Sequence, residues 1–189
     1  MRGRRLFRGI PRDRSGTAAV EFAMIVPVML TMWLGMMQFA QYETVDAKTL
    51  MAAQSISDIV AQVGTWQAGQ FSDIVSAANV VLAPLPPPPT GMTTPVTVDV
   101  VGVAYDSNNN PTYTSNGGWR CTSTGGPAKD PSVPLSLTAG LGSTGQMIIL
   151  VTVKFAYQPA ITYGVIGART LSEQALNRPR LGSTIAQPC

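Results

Sequence analysis

"RSGTAAVEFAMIVPVMLTMWLG", residues 14–35, decides how the rest of the chain is read. It has a glycine at 16, carries Glu21 in its first turns and is then almost wholly apolar. Phe22 to Phe39 is eighteen residues without a charge. As a helix this run covers about 27 Å, close to the hydrocarbon thickness of a bilayer. It is apolar nearly all round rather than striped, which favours a membrane span over a buried core helix. Pro27 deletes one backbone hydrogen bond and should bend the helix, a defect that membrane helices tolerate.

Working outward to the N-terminus, six of the thirteen basic residues stand before the run: Arg2, Arg4, Arg5, Arg8, Arg12 and Arg14. Only Asp13 opposes them. Beyond residue 16 the chain has seven basic and nine acidic groups, a net charge of −2. The basic character therefore belongs to a tail and not to a nucleic-acid-binding face; no nucleic-acid partner is expected. Arginines on one side only orient the helix with a cytoplasmic N-terminus and an exported remainder. A cleavable secretory signal is a poorer reading. Its apolar region is about 7–15 residues and ends at a small-x-small site, which Met37-Gln38-Phe39-Ala40-Gln41 does not supply.

Past the span, Val45, Ala52, Ile56, Ile59, Val60 and Val63 recur at helical spacing, with Gln54, Ser57 and Asp58 expected opposite. Gly64 and Gly69 suggest a break. A second helix is expected over Ile74, Val75, Ala78, Val81 and Leu82, with Ser72 as its N-cap and Pro84 as its stop. Pro86 to Pro89 read as a stiff linker. The period then changes. Val96 to Tyr105 reads as a strand followed by a turn over 106–111, Tyr113 as the start of a partner strand, and Asn116-Gly117-Gly118 as a second turn. Residues 122–146 read as loop. Gln146 to Tyr157 is apolar on both faces over its first half and is expected at the centre of a sheet. Leu171 to Leu176 reads as a last strand or a short helix, with strand favoured.

The expected fold class is α+β: a long N-terminal transmembrane helix that extends into an amphipathic helix, then a small antiparallel β-sheet domain. The expected divisions are a basic cytoplasmic leader (1–16), a transmembrane helix (17–40), an amphipathic helical region (41–83), a proline-rich linker (84–95) and an exported β-rich domain (96–189). The amphipathic face needs a cover, either the sheet or a neighbouring subunit.

The chemistry is sparse. Without a histidine, His-based metal sites and Ser–His–Asp or Cys–His arrangements are excluded. No phosphate-binding glycine loop is present. Asp99, Asp106 and Asp130 are scattered without a suggestive motif. No catalytic residue, metal site, cofactor or small-molecule substrate is expected. The five methionines Met24, Met29, Met32, Met36 and Met37 read as apolar filler of the anchor.

The opening stretch resembles the processing site of type IV pilin precursors: Gly16-Thr17-Ala18-Ala19-Val20-Glu21-Phe22. More closely, Ala18-Ala19-Val20-Glu21-Phe22-Ala23 with Pro27 and Gly35 resembles the TadE-like minor pseudopilins of tight-adherence (Flp) pilus systems. Trp119-Arg120-Cys121 and Arg178-Pro179-Arg180 are shorter points of likeness. The resemblance implies cleavage between Gly16 and Thr17 by a membrane-bound aspartic prepilin peptidase. It implies Glu21 and Phe22 at mature positions five and six as pilus-assembly residues. It implies a minor role in an initiating or tip complex, with other pilus subunits and the assembly platform as partners. The expected location is the bacterial inner membrane, crossed once, with the C-terminal domain periplasmic or carried into a surface pilus. An uncleaved, single-pass envelope protein with an adhesive or scaffold β-domain is the alternative.

Glu21 follows Thr17 by one helical turn. Cleavage would give Thr17 an α-amine, positive at neutral pH, able to pair with a carboxylate that is costly in lipid. Glu21 would then act as a register device in assembly; near-normal incorporation of a Glu21→Ala subunit would refute this. Its bland reading is an interfacial acid near a helix start. In an exported domain Cys121 and Cys189 are expected to form a disulfide, closing a loop of about seventy residues worth roughly 4 kcal/mol; two unpaired thiols are the other reading. Arg178 and Arg180 read as solvated charges or as a partner contact.

Overall fold

The structure is a computed structural model that describes residues 15–64, 66–67, 69–83, 96–125, 129–159, 166–187 and 189. The N-terminal arginines, the Pro84 stop and the expected proline-rich linker lie outside the described residues. The chain is α+β: among the described residues, two α-helices and an antiparallel sheet.

Helix α1 runs from Ser15 to Gln62, 48 residues without interruption, with Pro27 inside it. At 1.5 Å per residue it is about 72 Å long. Its two halves meet different surroundings. From Val20 to Met37 the large apolar side chains are exposed, Phe22 at 68%, Met24 at 74% and Trp33 at 62%. From Gln38 onward one stripe is buried: Gln38, Val45, Thr49, Ala52, Ala53, Ile56, Ser57, Val60 and Ala61. The spacing of three and four residues is that of one helix face. The buried stripe is rotated from the one expected, for Ser57 is buried whereas Ile59 is 43% exposed. Ala53, Ser57 and Ala61 stand at i, i+4 and i+8, and their small side chains let the sheet approach that flank closely. The sheet, rather than a second subunit, covers this stripe.

Helix α2, Gln70–Leu82, turns back and buries Ile74, Ala78 and Leu82. Its N-cap is Gly69 and not Ser72. Gly69 sits at φ 91°, where a side chain would be strained, and this left-handed residue makes the turn between the helices. The Ser72 hydroxyl donates to the Gly69 carbonyl at 2.7 Å, inside the first turn.

Five strands follow: β1 (Val96–Tyr105), β2 (Pro111–Thr112), β3 (Trp119–Thr122), β4 (Met147–Tyr157) and β5 (Arg169–Asn177). The order is β2-β1-β4-β5, with β3 on the same edge of β1 as β2, nearer its middle. β4 is central and buried along almost its whole length, as its two-sided apolar run implies. Tyr113 does not begin a strand. β2 ends at Thr112, and the longer partner of β1 is β3, paired over Asp99–Gly102. The alternative at Leu171–Leu176 resolves as strand. Leu171 and Ala175, four apart on one face, are buried with Glu173 half-buried between them, a period of two.

The sheet has two covered faces. Val98, Val100, Ile149, Val151, Val153 and Phe155 pack with α1 and α2. Val101, Val103 and Leu150 on the other face pack with Tyr113, Val133 and Leu135 from the connections. Helix α1 runs alongside β5, from Tyr42 near Arg169 at one end to Asp58 near Asn177 and Arg180 at the other.

Candidate functional site

The N-terminal motif lies on the part of α1 that projects beyond the sheet. Gly16 is in the first turn of the described helix, and a Cβ placed on it would meet nothing within 4 Å. Thr17, Glu21 and Phe22 are exposed. Glu21 stands one turn from Thr17, on the same side of the helix. Over 16–62 the helix is long and apolar enough to cross a membrane, and none of its most apolar window is buried.

The Trp119-Arg120-Cys121 segment is β3, and strand alternation divides its roles. Trp119 and Cys121 face the α-helical side. Trp119 is buried, and its indole N–H donates to the Ile185 carbonyl at 2.7 Å. Its ring lies on Gly102 of β1: a Cβ there would stand 2.4 Å from ring carbon Cε2. Because both faces of that contact are fixed, Gly102→Ala is expected to cost about 1–3 kcal/mol by overpacking, read as a lower denaturant midpoint. An unchanged midpoint would show that the indole can move aside. Cys121 is joined to Cys189 by a disulfide. The C-terminal strap it holds is seated by Ile185, which is buried and whose N–H approaches the Met147 sulfur at 3.5 Å.

Arg120 points to the other face and gathers two acids far apart in sequence. Its Nε lies 3.0 and 3.1 Å from the Asp99 carboxylate oxygens, and its Nη2 lies 2.7 Å from Asp99 Oδ2 and 3.0 Å from Asp130 Oδ2. The side chains of Arg120 and Asp99 are 6% and 11% exposed. The hydrogen bonds that Asp99 accepts hold the guanidinium further above its already high range. The Asp130 carboxyl is held below the usual carboxylate range, first by the backbone N–H of Ser132 and to a lesser degree by Arg120. Tyr113 completes the cluster: its hydroxyl accepts from the Asp130 N–H at 2.7 Å and donates to the Asp130 carbonyl at 2.8 Å. The third acid, Asp106, does not join it. Asp106 closes its own turn, accepting from the N–H groups of Asn108 and Asn110 at 2.8 Å each, and these bonds lower its carboxyl below the usual range.

Arg178-Pro179-Arg180 ties the sheet to the end of α1. The Arg180 backbone N–H donates to the Ala61 carbonyl at 2.8 Å, and its side chain meets Asp58 at 2.9 Å. The first bond satisfies one of the orphan carbonyls of the last helical turn. Arg178 donates to the Leu141 carbonyl. Both arginines have partners within the chain, although Arg180 remains 55% exposed in its side chain.

Among the described residues no group of three acids, cysteines or histidines could hold a metal ion. What the arrangement offers is mechanical: a bare apolar stem bearing a glycine and an acid at its start, and a sheet locked to the far half of that stem. No curated protein and no solved structure matches the chain. Residues 16–56 match the family model described as TadE-like protein, so the long helix, from Gly16 to Ile56 on its buried stripe, is similar to that family.

Proposed function

We propose that this chain is a minor pseudopilin that acts in the assembly of a tight-adherence pilus, in an initiating or tip complex, after a prepilin peptidase has cut it behind Gly16. The observation that carries this reading is the coincidence of three features on one helix. The family match begins at residue 16, a glycine stands there with open space around it, and the apolar stem beyond it is unburied. A stem left bare by its own domain needs either lipid or the stems of neighbouring subunits. The peptidase that removes the leader is itself in the membrane, so the helix meets it in the lipid phase, and assembly then transfers the stem from lipid to protein.

The orientation follows from charge. Six arginines hold the leader on the cytoplasmic side of the inner membrane. The sheet then stands in the periplasm, where the disulfide is chemically at home. Glu21 enters the apolar layer one turn behind the new amine of Thr17. A carboxylate there is tolerated when paired and penalised when not, which makes its partner a condition of correct packing. The shaft subunits of such systems are much smaller than 189 residues, which supports a minor place in the fibre.

Intact mass and N-terminal sequencing of the protein from its native membrane test the reading. A chain beginning at Thr17 is expected, and Gly16→Leu is expected to leave the leader in place. Glu21→Ala is expected to be cut normally and to be missing from assembled pili. Native protein that begins at Met1 in filament-competent cells would overturn the processing, and would favour an uncleaved anchor carrying a scaffold or adhesive β-domain.

A further inference from the structure

The end of the sheet nearest the apolar stem is built differently from the far end. Tyr157, the last residue of β4, and Arg169, the first of β5, are cross-strand partners. Both pack on Tyr42 of α1. The Arg169 guanidinium carbon lies 5.3 Å from the centre of the Tyr42 ring, and the two tyrosine rings meet edge to face at 5.8 Å. Arg169 is exposed and makes no ion pair among the described residues. Tyr157 is 1% exposed, and its buried hydroxyl has no hydrogen-bond partner among the described residues.

The position of this cluster along α1 is the second half of the argument. The uncharged run ends at Tyr42, immediately before Glu43, so Tyr42 stands at the edge of the hydrocarbon layer. The headgroup layer on each side of the hydrocarbon is about 5–8 Å deep. Tyr42, Tyr157 and Arg169 therefore fall within it once α1 spans the membrane. Tyrosine is favoured at this depth, with its ring in the apolar boundary and its hydroxyl toward water. The charges are graded as well. Asp46 and Glu173 face each other one turn further out, where burial and the Asp46 charge push the Glu173 carboxyl upward. Glu43 is exposed on another side of α1. The local net charge is thus not positive enough for loose attraction to an anionic surface, and what is on offer is a specific cation with its fork of donors, held on the Tyr42 ring.

We propose that Arg169, held on Tyr42 at this end of the sheet and backed by the buried Tyr157, seats a phospholipid phosphate of the leaflet from which α1 emerges, so that the sheet stands on the membrane surface. The inference rests on the membrane reading of α1. Arg169 supplies the planar, bidentate donors that suit a phosphate, and the stacked Tyr42 ring holds the guanidinium in place. The seat fixes the height of the sheet above the bilayer before the subunit is taken into a fibre.

Spin labels on the full chain in vesicles of phosphatidylethanolamine and phosphatidylglycerol test this. With the native disulfide closed, Thr31→Cys, Thr170→Cys and Asn108→Cys each add one free thiol at an exposed position. Accessibility to oxygen and to a water-soluble nickel complex reports depth. A label at 31 in the acyl region, one at 170 in the headgroup layer and one at 108 in water are expected. Arg169→Glu should move the label at 170 several-fold toward the nickel accessibility seen at 108, Arg169→Lys should retain most of its depth, and the thermal melt of each should match the parent. A label at 170 as wet as that at 108, with 31 in the acyl region, overturns the seat and leaves the span intact. A label at 31 in water overturns the span and the seat together. A label at 170 that keeps its depth in Arg169→Glu overturns the role of the guanidinium.

Discussion

Arg120→Met is expected to destabilise the folded chain by about 3–5 kcal/mol, because it takes from the buried Asp99 carboxylate the guanidinium that pairs with it. The geometry leaves that carboxylate little recourse. Asp99 is in the middle of β1, flanked by β3 and β4, and three of its close contacts come from the one guanidinium. Asp130 fares better, since the Ser132 N–H still donates to its Oδ1 at 2.8 Å. Asp130→Asn is accordingly expected to cost far less than the loss of Arg120. The double replacement Asp99→Val with Arg120→Met is expected to recover most of the loss, for it removes both the charge and the need for its partner. Urea titration of the full chain in detergent reads all three as midpoints at constant slope. A loss below about 1 kcal/mol for Arg120→Met would mean that water reaches Asp99 and that the triad is an ordinary surface pair.

That triad also marks the limit of what can be read from a one-dimensional chain. Asp99 and Asp130 are 31 positions apart, and neither shows a motif. They meet because Val101 pairs with Arg120 across β1 and β3, which puts Asp99 diagonal to Arg120 on one face, and because Tyr113 anchors the loop that carries Asp130. Register and loop docking are tertiary facts. The same holds for Ser57, buried where spacing alone puts it on the wet side, since the choice between two edges of a helical stripe is made by which small residues let the sheet approach. It holds again for Gly69, which caps α2 in place of the likelier-looking Ser72. By contrast β1, β4 and the apolar stem were legible because each is a long run whose composition alone selects its state. The N-terminal motif was legible for a related reason: its residues lie within seven consecutive positions, so no folding is needed to bring them together.

The Cys121→Ser, Cys189→Ser double variant is expected to lose about 4 kcal/mol, the chain entropy of a cross-link spanning 68 residues. Most of that loss arises in the unfolded chain. Closing Cys121 to Cys189 constrains β4, β5 and both connections at once, while the folded strap keeps other holds: the Trp119 indole on the Ile185 carbonyl and the buried Ile185 side chain. Two signatures separate this account from simple loss of native contacts. The denaturant slope should rise, because the uncrosslinked chain exposes more surface when unfolded. The environment of Trp119 in the folded state should change little, because its hydrogen bond does not depend on the sulfur bridge. A large loss of stability with an unchanged slope and a water-exposed Trp119 would instead mean that the bridge holds the strap down natively, and that Ile185 leaves its seat once Cys189 is free. The location of Cys189 makes the distinction practical: it is exposed whereas Cys121 is buried, so reductant reaches the bridge from the strap side and the same folded protein can be compared before and after reduction.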